Sequence, residues 1–63
     1  MMTTSTELHH YERDHRIAKV FRSYEGHYVE FFENQVMVER RELYKHTEQY
    51  AEDAAENWVD KVI

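Results

Sequence analysis

Residues 17–33 read IAKVFRSYEGHYVEFFE, two runs of β-branched and aromatic residues interleaved with charges, on either side of the only glycine in the chain. Alternation with period two is what a half-buried strand requires, because successive side chains point to opposite faces of a sheet. Gly26 accepts the positive φ of a tight turn, so Glu25-Gly26 is read as a two-residue hairpin turn with Tyr24 facing His27. Counting outward pairs Arg22 with Val29, Val20 with Phe31 and Ala18 with Glu33 on one face. Phe21 with Glu30, Lys19 with Phe32 and Ser23 with Tyr28 lie on the other.

Downstream, Asn34-Gln35 supplies a second turn into a third strand that ends near Leu43. This register places Val36 and Val38 with Val20, Val29 and Phe31, and leaves Met37 with Phe32 on the opposite face. It also sets Glu30 against Glu39, a like-charge pair, whereas a turn longer by one residue pairs Glu30 with Arg40. The register of the third strand is therefore open.

The segment from Thr47 to Ile63 changes period. Ala51, Ala54, Ala55, Trp58, Val59 and Val62 fall at i, i+3, i+4, i+7, i+8 and i+11, the stripe of an amphipathic helix. Thr47 is a suitable N-cap, and Glu48 and Glu52 sit where the helix dipole favours negative charge. Small alanines allow close approach to a sheet, and Trp58 is the only large residue in the middle of the stripe, so it is expected to be the main anchor. The expected architecture is α+β: a three-stranded antiparallel β-meander, Ile17 to Leu43, packed on one C-terminal amphipathic helix, with residues 17–63 forming a single βββα domain.

Residues 1–16 are polar and rich in threonine and histidine, and are expected to be a partly ordered N-terminal segment. Leu8, Tyr11 and His15 at i, i+3 and i+7 behind Ser5 or Thr6 are equally compatible with a short helix. Removal of Met1 to Glu7 is expected to leave the fold intact.

Composition narrows the function. The chain has 63 residues and no cysteine, which excludes disulfides, cysteine-based zinc sites and thiol nucleophiles, and fits a reducing compartment. With a mean hydropathy of −0.93 it has no run near the roughly 18 apolar residues of a membrane span, and its N-terminus lacks the apolar core of a secretory signal. A cytoplasmic location without membrane contact is expected. Of the net charge of −5, the segment from Thr47 onward carries −4, five acids against Lys61. That acidity disfavours unspecific binding to phosphate backbones.

The order of three strands and a helix reading Tyr50-Ala51-Glu52-Asp53-Ala54-Ala55-Glu56-Asn57-Trp58-Val59 resembles small uncharacterised proteins encoded by T4-like phages of marine cyanobacteria, over about Lys19 to Ile63. The resemblance implies a phage accessory protein acting inside an infected bacterium, and brings no activity with it. The topology is also similar to that of the double-stranded RNA-binding domain, whose last helix begins with lysines that grip phosphate. Here those positions are Thr47, Glu48, Gln49 and Asp53, so RNA binding is not carried over.

His9, His10, Glu12, Asp14 and His15 are the densest group of metal-ligating side chains, and on a helix Glu12 and His15 share a face. A single Glu-x-x-His does not make a diiron bundle, so neither a metal site nor any other cofactor is expected. The acids of the last helix lie away from its apolar stripe, as on an ordinary solvated face. No phosphate-binding loop or nucleophile elbow is present, and the chain is too short for a pocket that excludes water, so no catalytic residues are assigned.

What remains is a second apolar face, Phe21, Tyr28, Phe32 and Met37 interspersed with Lys19, Glu30 and Arg41. One helix covers one face, so this one needs a cover. Three are available: the N-terminal segment through Leu8 and Tyr11, a second copy of the chain, or another partner. The favoured reading is a non-enzymatic protein-interaction module, with Lys19, Phe21, Tyr28, Phe32, Met37 and Arg41 as partner-binding residues and a homodimer as one form. The alternative is a single-stranded nucleic-acid binder that stacks bases on Phe21, Tyr28 and Phe32 with help from Lys19, Arg22, Arg40 and Arg41.

Overall fold

The computed structural model describes residues 5–60. Four strands and one helix follow one another: β1 (Thr6–Arg13), β2 (Arg16–Ser23), β3 (Gly26–Glu33), β4 (Val36–Leu43) and α1 (Glu48–Asp60). The strands form one antiparallel meander in the order β1-β2-β3-β4, and α1 crosses back over one face to pack on β2, β1 and β3. The α+β class, the meander and the C-terminal helix agree with the sequence reading; the number of strands does not.

The extra strand is the N-terminal segment. It is neither helical nor frayed over Thr6–Arg13, because His9 and Tyr11 alternate toward the helix while His10 and Glu12 alternate away from it. Tyr11 packs against the core beside Ala18, its partner on β2. Asp14, at φ 57°, turns the chain into β2, a left-handed conformation that aspartate tolerates better than most residues. Thr6 and Glu7 are thus part of the sheet, and the boundary drawn at residue 16 falls inside the domain.

The β2-β3 hairpin turns at Tyr24-Glu25 rather than Glu25-Gly26, so Ser23 faces Gly26, Val20 faces Val29 and Ala18 faces Phe31. Each pair is shifted by two residues from expectation. A shift of two preserves the faces, and Ala18, Val20, Val29 and Phe31 all lie buried under the helix. Gly26 is held inside the strand for a steric reason: at φ 134° a Cβ here would sit 2.4 Å from the Tyr44 carbonyl oxygen.

Asn34 and Gln35, at φ 54° and 70°, make the expected turn with both central residues left-handed. Strand β4 then carries a bulge at Val38, so that Phe32 faces Met37 but Phe31 faces Glu39. Beyond it Glu30 pairs with Arg40, which avoids the Glu30/Glu39 clash, and Leu43 turns into the core. Val36 and Val38, expected in the core, are 63% and 52% exposed at the sheet edge.

Thr47 caps α1, its Oγ1 accepting from Tyr50 N–H at 3.1 Å. Ala51, Ala55 and Val59 are buried, with Ala54 and Trp58 packed at the margin. The expected continuation through Val62 to Ile63 lies outside the described residues. Trp58 is half-buried rather than central: its ring tilts against Phe31 at 4.7 Å, and the Arg16 guanidinium lies 4.6 Å above it while donating to the Trp58 carbonyl at 2.8 Å. The largest fully buried side chain is Phe31, which takes over the role assigned to Trp58.

Phe31→Ala should therefore cost about 3–5 kcal/mol, against about 2 kcal/mol for Trp58→Ala, whose ring is partly in solvent already. Urea unfolding of the three proteins followed by circular dichroism checks the ranking; a larger loss for Trp58→Ala would contradict this packing.

Candidate functional site

The sheet face away from α1 is built in cross-strand rows. One row runs Glu12, Ile17, Phe32, Met37; the next runs His10, Lys19, Glu30, Arg40; the next runs Glu7, Phe21, Tyr28, Glu42. No described residue packs across these rows from another layer. Five of the six residues expected at a partner-binding surface are here: Lys19, Phe21, Tyr28, Phe32 and Met37.

Arg41 is not. The bulge at Val38 moves it to the helix face, where its guanidinium lies 4.9 Å over the Phe31 ring and its Nε donates to Glu39 at 3.0 Å. Arg40 takes the vacated position, 4.4 Å above the Tyr28 ring.

Side chains on this face pair with one another. Phe21 and Tyr28 stack at 5.0 Å with 11° between their planes, and Lys19 Nζ lies 5.1 Å over the Phe32 ring. Tyr28, capped by Phe21 on one side and Arg40 on the other, is only 7% exposed. The apolar surface left open is the Phe32–Met37 row and the β4 edge beside it, with Met37 46% exposed next to Val36 and Val38.

A second constellation lies on the helix side. The tight turn between β1 and β2 sets His9 opposite Val20, on the helix side of the sheet, where its Nε2 meets Glu48 Oε2 at 2.7 Å and Glu52 Oε2 at 2.8 Å, one helical turn apart. The three groups are half-buried. The hydrogen bond from His9 draws the Glu48 carboxyl below its ordinary value; desolvation opposes this, and the charges of His9, His27 and Arg22 add to the lowering. Tyr11, beside His9, is pushed up by burial and by the acids of α1, Glu52 foremost. Sequence reasoning missed this site because its partners are 39 residues apart and β1 was not read as a strand.

Of the metal-ligating residues singled out in the sequence, only His9 belongs to this group; Glu12 and His15, which would share a face on a helix, do not come together. Glu12 faces the open side, while His15 sits in the β1-β2 turn and meets Glu33 at 3.0 Å. Glu12, Asp14 and His15 line a shallow depression of about 390 Å³ with Ile17, Asn34 and Gln35, residues that supply no hydroxyl, thiol or amine nucleophile. No helix among the described residues is long and apolar enough to cross a membrane. Comparison with protein families, curated proteins and solved structures finds no match to this chain.

The lowered Glu48 value fixes the sign of one pH effect. Its stabilisation is fully present above the ordinary carboxylate value of 4.5 and is lost as pH falls through the folded-state value. Glu48→Gln should flatten that part of the acid unfolding profile, and carboxyl titration by NMR should place Glu48 below the exposed glutamates; an identical acid limb in both proteins would contradict the assignment.

Proposed function

We propose that this protein is a small non-enzymatic interaction module that binds protein through its open sheet face, the contact centred on Phe32 and Met37 and extending over the β4 edge at Val36 and Val38. The observation that carries this reading is the orientation of the N-terminal segment. By adding to the sheet as β1 and sending Tyr11 to the helix side, it removes one of the three available covers of the open face, the N-terminal segment acting through Leu8 and Tyr11.

A second copy of the chain is the first occupant. The fully buried core is small, three of its members being the alanines Ala18, Ala51 and Ala55, and a domain of this size gains much from burying a second face. The face suits a two-fold contact: Lys19, Glu30 and Arg40 alternate in sign along one row beside the apolar one, so two antiparallel copies can set Glu30 against a basic residue. Nucleic-acid stacking is disfavoured, because stacking needs open ring faces and Tyr28, between the Phe21 ring and the Arg40 guanidinium, presents none. An accessory role in an infected bacterium, in which the same surface engages a phage or host protein, belongs to this proposal and rests only on the resemblance read in the sequence of α1.

Sedimentation velocity over a concentration series should give a reversible dimer for the parent and a monomer for Phe32→Glu, with the helical circular dichroism of the two alike. A parent that stays monomeric at millimolar concentration and binds a labelled single-stranded oligonucleotide with strong salt dependence would overturn the reading in favour of nucleic acid.

A further inference from the structure

We propose that His9, Glu48 and Glu52 form a site for a first-row divalent metal of the zinc class, which clips the edge strand β1 to the first turns of α1. The cluster is a convergent donor set drawn from two elements, not an acidic patch on one. One imidazole nitrogen and two carboxylate oxygens lie within 4.8 Å of one another.

Charge and hydrogen-bond geometry both call for a cation. Two carboxylates approach the same nitrogen at 2.7 and 2.8 Å, yet one Nε2–H can point well at only one of them. The hydrogen bond runs to Glu48, so the Glu52 oxygen is held close without a proton of its own. Even with His9 protonated, the three groups carry a net negative charge. Arg22 and His27 are near enough to act on Glu48 and offset part of it, but His27 Nδ1 is engaged with the His46 carbonyl.

A metal in place of the shared proton satisfies all three donors at once. Tetrahedral bonds of about 2.0–2.1 Å put donor atoms roughly 3.3 Å apart, so the carboxylates need only spread by about half an ångström, within side-chain torsional freedom. The fourth position is open to solvent. An imidazole in a three-donor site selects zinc, nickel or copper over calcium and magnesium, which take oxygen ligands. The backbone side of the site is fixed: β1 holds His9 opposite Val20, and the helix spaces Glu48 and Glu52 by one turn.

The test uses the full chain without an affinity tag. Zn2+ is titrated by calorimetry and by thermal unfolding in a non-chelating buffer, with Co2+ as the spectroscopic probe. At a hundredfold excess over Kd, Zn2+ should raise the unfolding midpoint by on the order of 10 °C. Co2+ should develop the visible absorption of a low-coordinate nitrogen–oxygen site. Glu52→Gln, which keeps shape and removes the charge, should weaken Zn2+ by more than the roughly tenfold that loss of a merely supporting partner costs. His9→Ala should abolish the Co2+ signal. His10→Ala, whose imidazole lies on the opposite face of the same strand, should bind as the parent does. In NMR spectra, Zn2+ should move the His9 ring signals and leave His15 and His46 unshifted. Absence of a Zn2+-dependent midpoint shift, or binding that survives in His9→Ala and Glu52→Gln alike, would overturn the proposal and leave the cluster a proton-bridged ion pair.

Discussion

Everything in this structure depends on how closely α1 can lie on the sheet. Ala51 and Ala55 are fully buried, and below them β2 presents Ala18 and Val20. Small side chains on both surfaces let the helix approach β2 at its start, and the larger Phe31 and Val59 fill the space further along. Any longer side chain at Ala51 or Ala55 would lift the helix and open the core. The same closeness brings Glu48 and Glu52 within reach of His9 on β1, and Asp60 within 2.7 Å of Arg13 Nε. The helix thus contacts the edge strand through polar groups at both ends and the central strands through apolar ones in between.

Tight turns and two bulges together decide which residues reach which face. Without the bulge at Val38, Leu43 would point away from the helix and Glu30 would oppose Glu39; with it, Leu43 is buried and Glu30 lies between Lys19 and Arg40. The bulge at Leu8 acts only on the outer end of β1, setting Glu7 opposite Phe21 on the open face, while His9 and Tyr11 take their inward direction from the unbroken pairing that starts at Arg13 and Arg16. Each bulge lies near the end of an edge strand, where an extra residue disturbs only one ladder. The cations over Tyr28 and Phe31 follow from the insertion in β4, and the His9 cluster from the turn that joins β1 to β2.

Much of this was legible in the residues. The helix could be read from its alanines, Val59 and the Thr47 cap, and the faces of β2 and β3 from the alternation around Gly26, even though the turn was placed one residue late. The error left the faces intact because it moved the pairing by an even number. Three things were hidden. Bulges leave no mark in a hydrophobic pattern, so Arg41 was read onto the wrong face in place of Arg40. Strand β1 carries histidines and glutamates where strands usually carry β-branched residues, and it was read as a frayed or helical segment. A repeat could have revealed it: strands begin at Thr6, Arg16, Gly26 and Val36, eight residues and a two-residue turn each time. The His9 cluster was beyond sequence reasoning, since it needs both β1 and the path of the helix across it.

The central claim is that one sheet face forms the core under α1 while the other stays outside it. Nuclear Overhauser contacts from the methyl groups of Ala51, Ala55 and Val59 measure this directly. The structure requires contacts from these methyls to the Phe31 ring and to the methyls of Val20 and Val29, and none to Phe32, Phe21 or Met37. Helix methyls that see Phe32 or Phe21 instead would mean that the sheet is turned over and the assignment of its two faces is wrong.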